Sequence, residues 1–258
     1  MYALVTGASS GIGLQYATVL AEKYKRDLVL VSNQEKELQE AAKEISEKYG
    51  VKTVTLFKDL STETAPQEVY DFCKENNLEI EILINNAGVF YFNDLCKTAE
   101  ARINLMLHLH IRTVTQMCRL FGMDMRERGK GYILNMCSIT ADIAVQRLGS
   151  YGSTKAFLRN FTRALHVEMK DKGVIITDMT PGAINTGLYN IKPWATKLGL
   201  ILGYIVQPDY LARRGVRAMM RGRAKVSVPF VWNYLLIWLV VLFVPTCLLR
   251  LIRKMGLF

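Results

Sequence analysis

Tyr2-Ala3-Leu4-Val5-Thr6-Gly7-Ala8-Ser9-Ser10-Gly11-Ile12-Gly13 decides the fold. Tyr2 to Val5 reads as a short buried strand, and Leu14 to Lys23 carries a helical pattern. The glycine-rich turn between them therefore presents backbone N–H groups at a helix N-terminus, where a phosphate is favoured. Gly7, Gly11 and Gly13 let the backbone approach a pyrophosphate with no Cβ in the way. Ser9, Ser10 and Ile12 fill the turn and are candidate contacts to the same group. The spacing is GxxxGxG rather than GxGxxG, so the strand before it and the helix after it carry the assignment.

Leu28-Val29-Leu30-Val31 reads as a second strand and ends in Ser32-Asn33-Gln34. In NAD sites an acidic residue about twenty positions past the glycines holds the ribose 2′-hydroxyl. Asn33 stands there instead, and no carboxylate appears before Glu35. Losing that carboxylate removes repulsion against a 2′-phosphate, which favours NADP over NAD, although no arginine is at hand to bind the phosphate. Glu35 to Tyr49 is a charged amphipathic helix. Val51 to Phe57 is a third strand leading to Asp59 and Leu60; Asp59 either accepts from an adenine amino group or caps the next turn. A helix is expected over Val69 to Glu75. Ile80 to Ile84 is a fourth strand, followed by Asn85-Asn86-Ala87-Gly88, small and amide residues that let a ribose pass close and tie neighbouring strands together.

Ser138 follows the apolar run Tyr132 to Cys137, so its hydroxyl is expected at the carboxyl end of a strand, where ligands bind in open α/β sheets. Tyr151 and Lys155 are four apart and share a face if helical. Alone, such a pair is ordinary helix surface. Beside a cofactor it acquires chemistry, because a phenol of pKa about 10 becomes a proton donor near neutrality when a nearby cation favours its phenolate. Lowering that pKa by about three units needs roughly 4 kcal/mol of differential interaction.

Thr6-Gly7-x-x-x-Gly11-x-Gly13, Asn85-Asn86-Ala87-Gly88, Ser138 and Tyr151-x-x-x-Lys155 stand in the order and spacing of the short-chain dehydrogenase/reductases, which the chain resembles over roughly residues 1–228. The resemblance implies a Rossmann-type, doubly wound parallel α/β sheet and hydride transfer with NAD(P). It implies that Tyr151 is the acid/base, that Lys155 lowers its pKa and holds the ribose, and that Ser138 polarises a carbonyl. Pro181-Gly182, Ile184 and Thr186 fall where that family lines the nicotinamide. One position departs. Where the family often has an asparagine completing a tetrad, this chain has His110, which either keeps the backbone role of that helix or alters its bend and proton relay. Ile133 to Thr177, with Lys155-Ala156-Phe157 and the apolar tail, is similar to the branch of long-chain 3-oxoacyl-CoA reductases, 17β-hydroxysteroid dehydrogenases and 3-ketosphinganine reductases.

Val174 to Met179 is a further strand, and the stretch from residue 184 to 206 takes the place of a substrate lid. Trp194, Leu198, Ile201, Leu202 and Tyr204 make that lid apolar, which suits a lipophilic ketone or secondary alcohol, or packing against the tail or another subunit. Pro208 to Arg221 is an arginine-rich helix and Lys225 to Val228 the last strand. The chain thus divides into residues 1–228 and a tail, 229–258. Phe230 to Leu249 is an uncharged run of 20 residues with Trp232, Tyr234 and Trp238. Arg221, Arg223 and Lys225 precede it, and Arg250, Arg253 and Lys254 follow. Basic residues on both flanks favour an in-plane or re-entrant anchor over a simple span, with an oligomer-interface helix as the alternative. The expectation is a C-terminal hydrophobic tail helix holding the protein on the cytoplasmic face of a membrane.

The bulk numbers agree with one large domain: 258 residues, 50% hydrophobic, net charge +10. No nucleic-acid-binding signature accompanies the positive charge, which points to an anionic membrane surface instead. Five scattered cysteines without CxxC spacing read as reduced thiols facing the cytosol. A strand from Tyr2 leaves no room for a signal peptide. His108 and His110 lie on different helix faces, so no metal site is expected. A homo-oligomer is expected from the resemblance. A catalytically idle, cofactor-binding scaffold or sensor remains the alternative to an enzyme.

Overall fold

The computed structural model describes residues 1–142, 145–186 and 193–228. The elements run β1 (Tyr2–Thr6), α1 (Gly11–Tyr24), β2 (Asp27–Ser32), α2 (Glu35–Tyr49), β3 (Thr53–Phe57), α3 (Ala65–Glu75) and β4 (Ile80–Asn85). Next come α4 (Glu100–Leu107), a π-helical turn over His108–Thr113, α5 (Val114–Glu127), β5 (Gly131–Met136) and α6 (Gly149–Lys170). The chain continues through β6 (Val174–Pro181), β7 (Ala183–Ile184), α7 (Pro193–Ile201), β8 (Ile205–Val206), α8 (Pro208–Met220) and β9 (Lys225–Val228).

Among the described residues, seven parallel strands pair in the order β3-β2-β1-β4-β5-β6-β9. The order reverses beside β1, and the crevice outside the strands' carboxyl ends at that switch point is where doubly wound sheets bind ligands. The central strands read as unbroken apolar runs because both faces are covered. Their side chains alternate between two cores. Ala3, Val5, Leu28, Leu30, Ile82 and Ile84 pack with Leu20, Leu211 and Val216 on one face. Leu4, Val29, Val31 and Leu83 pack with Val69, Met117, Phe121 and Leu158 on the other.

The expected strands are present, each within two residues of its predicted bounds, and the helix over Val69 to Glu75 begins earlier, at Ala65 with Pro66 in its first turn. α2 buries Leu38, Ala41, Ala42 and Ile45 at helical spacing and ends where Gly50 takes a φ of 69°. α8 buries Leu211, Ala212, Gly215, Val216 and Met219 against α1. Gly215 is required there, since a Cβ would stand 2.7 Å from the Tyr16 hydroxyl.

Two features were not legible as motifs. β7 and β8 form a separate two-stranded ribbon, which brings the start of the lid back beside its end. The predicted long helix before β5 is interrupted by the π-helical turn, which contains His110. The predicted tail helix lies outside the described residues, as does part of the lid. Among the described residues no helix is long and apolar enough to cross a membrane.

Candidate active site

The glycine-rich turn is welded to the neighbouring strand. Thr6 Oγ1 accepts from the backbone N–H groups of Asn86 (2.9 Å) and Ala87 (3.0 Å) and donates to the Ile84 carbonyl (3.2 Å). Asn86 Nδ2 in turn donates to the Thr6 carbonyl at 3.0 Å. Gly7 and Gly11 have φ of 64° and 56°. A Cβ on Gly13 would stand 2.0 Å from the Gly7 carbonyl oxygen, so the first turn of α1 lies directly on the loop. Ser10 is the N-cap of α1 but makes no side-chain capping bond, and the first turn holds no acidic residue. That uncapped, 14-residue helix fits a dinucleotide pyrophosphate, because its leading N–H groups are aimed into an open loop.

At the end of β2, Ser32 Oγ donates to Ser9 Oγ (2.9 Å) and Ser9 Oγ donates to Gln34 Oε1 (2.7 Å). Asn33 and Gln34 are exposed beside this relay. Asp59 spends one carboxylate oxygen on the Ser61 backbone N–H (2.9 Å) and hydroxyl (2.8 Å), which is the turn-capping half of its two expected roles. The Leu60 side chain is buried in the core, and its carbonyl accepts from Thr113 Oγ1 at 2.6 Å.

Ser138 follows β5, and Tyr151 and Lys155 stand on α6, which packs on the turn after Ser138. All three are nearly buried, at 7%, 8% and 6% exposure. Ser138 Oγ accepts from Thr140 Oγ1 at 2.9 Å and from the Thr140 backbone N–H at 3.2 Å, so its position is fixed by the short helical turn Ile139–Ala141. α6 packs closely on that turn at Gly152, where a Cβ would be 3.0 Å from the Thr140 carbonyl oxygen. Lys155 Nζ donates to the Met136 carbonyl at 2.7 Å and lies 5.7 Å from the centre of the Tyr151 ring. Burial pushes Lys155 from its ordinary 10.5 down to about 8. The Tyr151 ring is held edge-to-face by Phe90 (5.0 Å between centroids) and His110 (5.7 Å).

His110 is tied on both sides. Its Nε2 accepts from the Val89 backbone N–H at 3.0 Å, which leaves the proton on Nδ1, 3.0 Å from Thr154 Oγ1. Thr154 Oγ1 donates onward to the Tyr151 carbonyl at 2.8 Å. Burial and the charge of Lys155 hold the imidazole well below its usual pKa, so it is neutral. Of the two expected readings of His110, the helix does depart from regular α geometry there, and the side chain braces the loop after β4 against α6. Gly88 allows the approach; its Cβ would be 3.0 Å from His110 Nε2.

On the far side, Pro181 ends β6 and the Gly182 N–H donates to the Val228 carbonyl at 2.7 Å. Ile184 is buried in the core, and the Thr186 methyl is 4.0 Å from where a Gly11 Cβ would be. The Thr186 side chain therefore stands beside the glycine-rich turn. Sequence reasoning quoted Thr6 within the glycine-rich motif but gave no structural role to Thr6, Thr154 or Asn135. Asn135 Oδ1 accepts from Asn85 Nδ2 at 2.8 Å, and Asn135 Nδ2 donates to Thr162 Oγ1 at 2.9 Å, linking β4, β5 and α6 inside the core. A polar residue in the apolar run Tyr132 to Cys137 was the available signal.

A model of the short chain dehydrogenase family matches residues 1–194. The chain belongs to that family of NAD(P)-dependent oxidoreductases. It is similar to the very-long-chain 3-oxoacyl-CoA reductase of Anas platyrhynchos, with 36% identity over 201 residues covering 74% of this chain and 62% of that protein. The very-long-chain 3-oxoacyl-CoA reductase-B of Danio rerio is 38% identical over 197 residues, with the same coverage. The matched region thus spans 62% of the length of these curated relatives. Among solved structures, a short-chain dehydrogenase from Sphingobium yanoikuyae in complex with NADPH superposes with a TM-score of 0.79 at 26% identity, over 91% of each chain.

Proposed function

We propose that this chain is an NADPH-dependent reductase of a lipophilic ketone, with a 3-oxoacyl thioester as the substrate class. The observation that carries the reading is that Ser138, Tyr151 and Lys155 are all nearly buried where α6 packs on the turn after Ser138. The bound dinucleotide supplies the hydride. Ser138 donates a hydrogen bond to the ketone oxygen and Tyr151 delivers its phenolic proton to the forming alkoxide. Lys155, charged below a pH of about 8, stabilises the phenolate left behind and holds the ribose. Gly7, Ser9, Ser10, Gly11, Ile12 and Gly13 hold the pyrophosphate. Asn86 to Gly88, Pro181, Gly182 and Thr186 line the rest of the dinucleotide. His110 is a positioning residue, not a relay, because both ring nitrogens are engaged and the ring is neutral.

NADPH is the chosen cofactor because Ser32, Asn33 and Gln34 present hydroxyl and amide groups where NAD sites place a carboxylate. The substrate class is supported by the similarity to 3-oxoacyl-CoA reductases and by the exposed apolar residues of α7 and its surroundings. Trp194, Ile201 and Leu202 are 67%, 73% and 71% exposed. Those residues, with the basic collar and the apolar run from 230 to 249, suit docking on an anionic membrane from which a lipid substrate enters without crossing water. The test is NADPH consumption with 3-oxoacyl-CoA esters of increasing chain length and with steroid ketones, paired with flotation on anionic liposomes. Turnover that rises with acyl length is the expected result; turnover confined to steroid ketones would replace the substrate class, and no flotation of the intact chain would remove the membrane.

A further inference from the structure

A cavity of about 310 Å³ opens beside Tyr151, and its mouth carries charge that proton and hydride transfer do not use. Arg102 and Arg147 both line it and both are exposed, whereas Tyr151 at its other end is nearly buried. Each guanidinium is stacked on an aromatic face: Arg102 lies 5.2 Å from the Tyr91 ring centre and Arg147 4.8 Å from that of Phe92. Stacking fixes the plane of a guanidinium and leaves its N–H edge free for a bidentate acceptor. The backbone reinforces the arrangement, since the Asn93 N–H donates to the Arg147 carbonyl at 3.1 Å. Among the described residues, neither arginine forms an ion pair with a carboxylate.

A second feature points the same way. Gly149 and Ser150, the first residues of α6, also line the cavity. This 22-residue helix has no side-chain cap and no acidic residue in its first turn. Its positive end therefore faces the same space as the two arginines. Asp94 is the one carboxylate among the lining residues, and it accepts from the Cys96 N–H of its own turn at 3.0 Å. Two cations and a helix N-terminus against one carboxylate leave the cavity electropositive. Its volume is at the small end of ligand pockets, enough for part of a substrate.

Resting on the reductase reading, we infer that this cavity receives the phosphate-bearing carrier end of the substrate, as in a coenzyme A thioester, with Arg102 and Arg147 binding the phosphates. The ketone sits at Tyr151, the uncharged pantetheine arm runs outward past Asn93 and Gln146, and the phosphates meet the arginines at the mouth. Bidentate pairing with phosphate makes Arg102 and Arg147 determinants of carrier specificity rather than of the chemical step.

The experiment compares 3-oxodecanoyl-CoA with the same acyl group on N-acetylcysteamine, which has no phosphate. The wild-type enzyme and the Arg102→Gln and Arg147→Gln variants are assayed at saturating NADPH. Each substitution is expected to raise KM for the CoA ester about tenfold, with kcat and the neutral thioester unaffected. Added salt is expected to raise KM for the CoA ester alone. NADPH affinity checks that each variant is folded. Free coenzyme A, titrated into NADPH-saturated protein, gives an independent reading: it is expected to bind wild type and to bind each variant about tenfold more weakly. Variants that treat both thioesters as wild type does, or weaken on both equally, overturn the inference and leave the reductase reading standing. Coenzyme A that binds through the arginines while no 3-oxoacyl ester is reduced keeps the cavity and removes the reductase reading.

Discussion

At the carboxyl ends of β1 and β4, Thr6, Asn86 and Ala87 lock the glycine-rich loop through hydrogen bonds of 2.9 to 3.0 Å, and glycine backbones touch one another. Beyond Pro181 the chain is built the opposite way. Trp194, Leu198, Ile201, Leu202 and Tyr204 are exposed, and the described part of that region is tied by the short ribbon of β7 and β8 and by α7 packing on β8. A dinucleotide presents the same pyrophosphate whichever form of NAD(P) is used, so the loop that would meet it is specified atom by atom. A lipid presents little but apolar area, and area constrains which residue types occur without constraining their positions.

Breaking the rigid side is expected to have the largest effect. Gly13→Ala puts a methyl group 2.0 Å from the Gly7 carbonyl oxygen, where neither backbone can yield. Loss of NADPH binding in a titration is the expected outcome. The next effect is electrostatic. Lys155 is charged below a pH of about 8 and loses its charge as pH rises through that value. NADPH affinity should fall by up to about tenfold between neutral pH and a pH of about 9, as the charged fraction of Lys155 falls and a charge-assisted hydrogen bond is lost. Lys155→Met should be weak and flat over the same range; an equally steep fall in that variant would assign the titration to another group.

Asn33→Asp tests the cofactor side more gently, because Asn33 is exposed and a carboxylate fits there without repacking. The ratio of kcat/KM for NADPH over NADH should drop by about tenfold or more, through repulsion of the 2′-phosphate and a new bond to the 2′-hydroxyl. A wild-type enzyme that already prefers NADH contradicts the NADP assignment. The smallest effect is expected at His110. His110→Asn should leave kcat within a few-fold and its pH profile unmoved; a shifted profile would restore the relay. Stability should respond more than activity. The imidazole is neutral in the fold and takes up a proton below its ordinary value of 6.5 once unfolded. Stability is therefore lost as pH falls below 6.5, and thermal melts of His110→Asn should show a shallower loss.

The same contrast explains what could be read from the residues. The sheet was legible because parallel strands buried on both faces are written as runs such as Leu28 to Val31 and Ile80 to Ile84. Gly7, Gly11, Gly13, Ser138, Tyr151 and Lys155 were legible because their chemistry fixes both type and spacing. Thr154 was not, since its hydroxyl acts only through His110, and a threonine inside a helix carries no signal of that partnership. The cavity between Arg102 and Arg147 was equally hidden, because 45 positions of sequence separate two arginines that α4 and the turn before α6 bring to one cavity.

The measurement that bears most directly on the active site is the Tyr151→Phe variant, followed in parallel by NADPH titration and by turnover of a long-chain 3-oxoacyl-CoA. The ring and its contacts with Phe90 and His110 remain, and only the hydroxyl that carries the proton is removed. The expected result is NADPH affinity equal to wild type with turnover lowered by about 10²- to 10⁴-fold. Turnover near the wild-type rate in a variant that binds NADPH normally would contradict the assignment of Tyr151 as the proton donor.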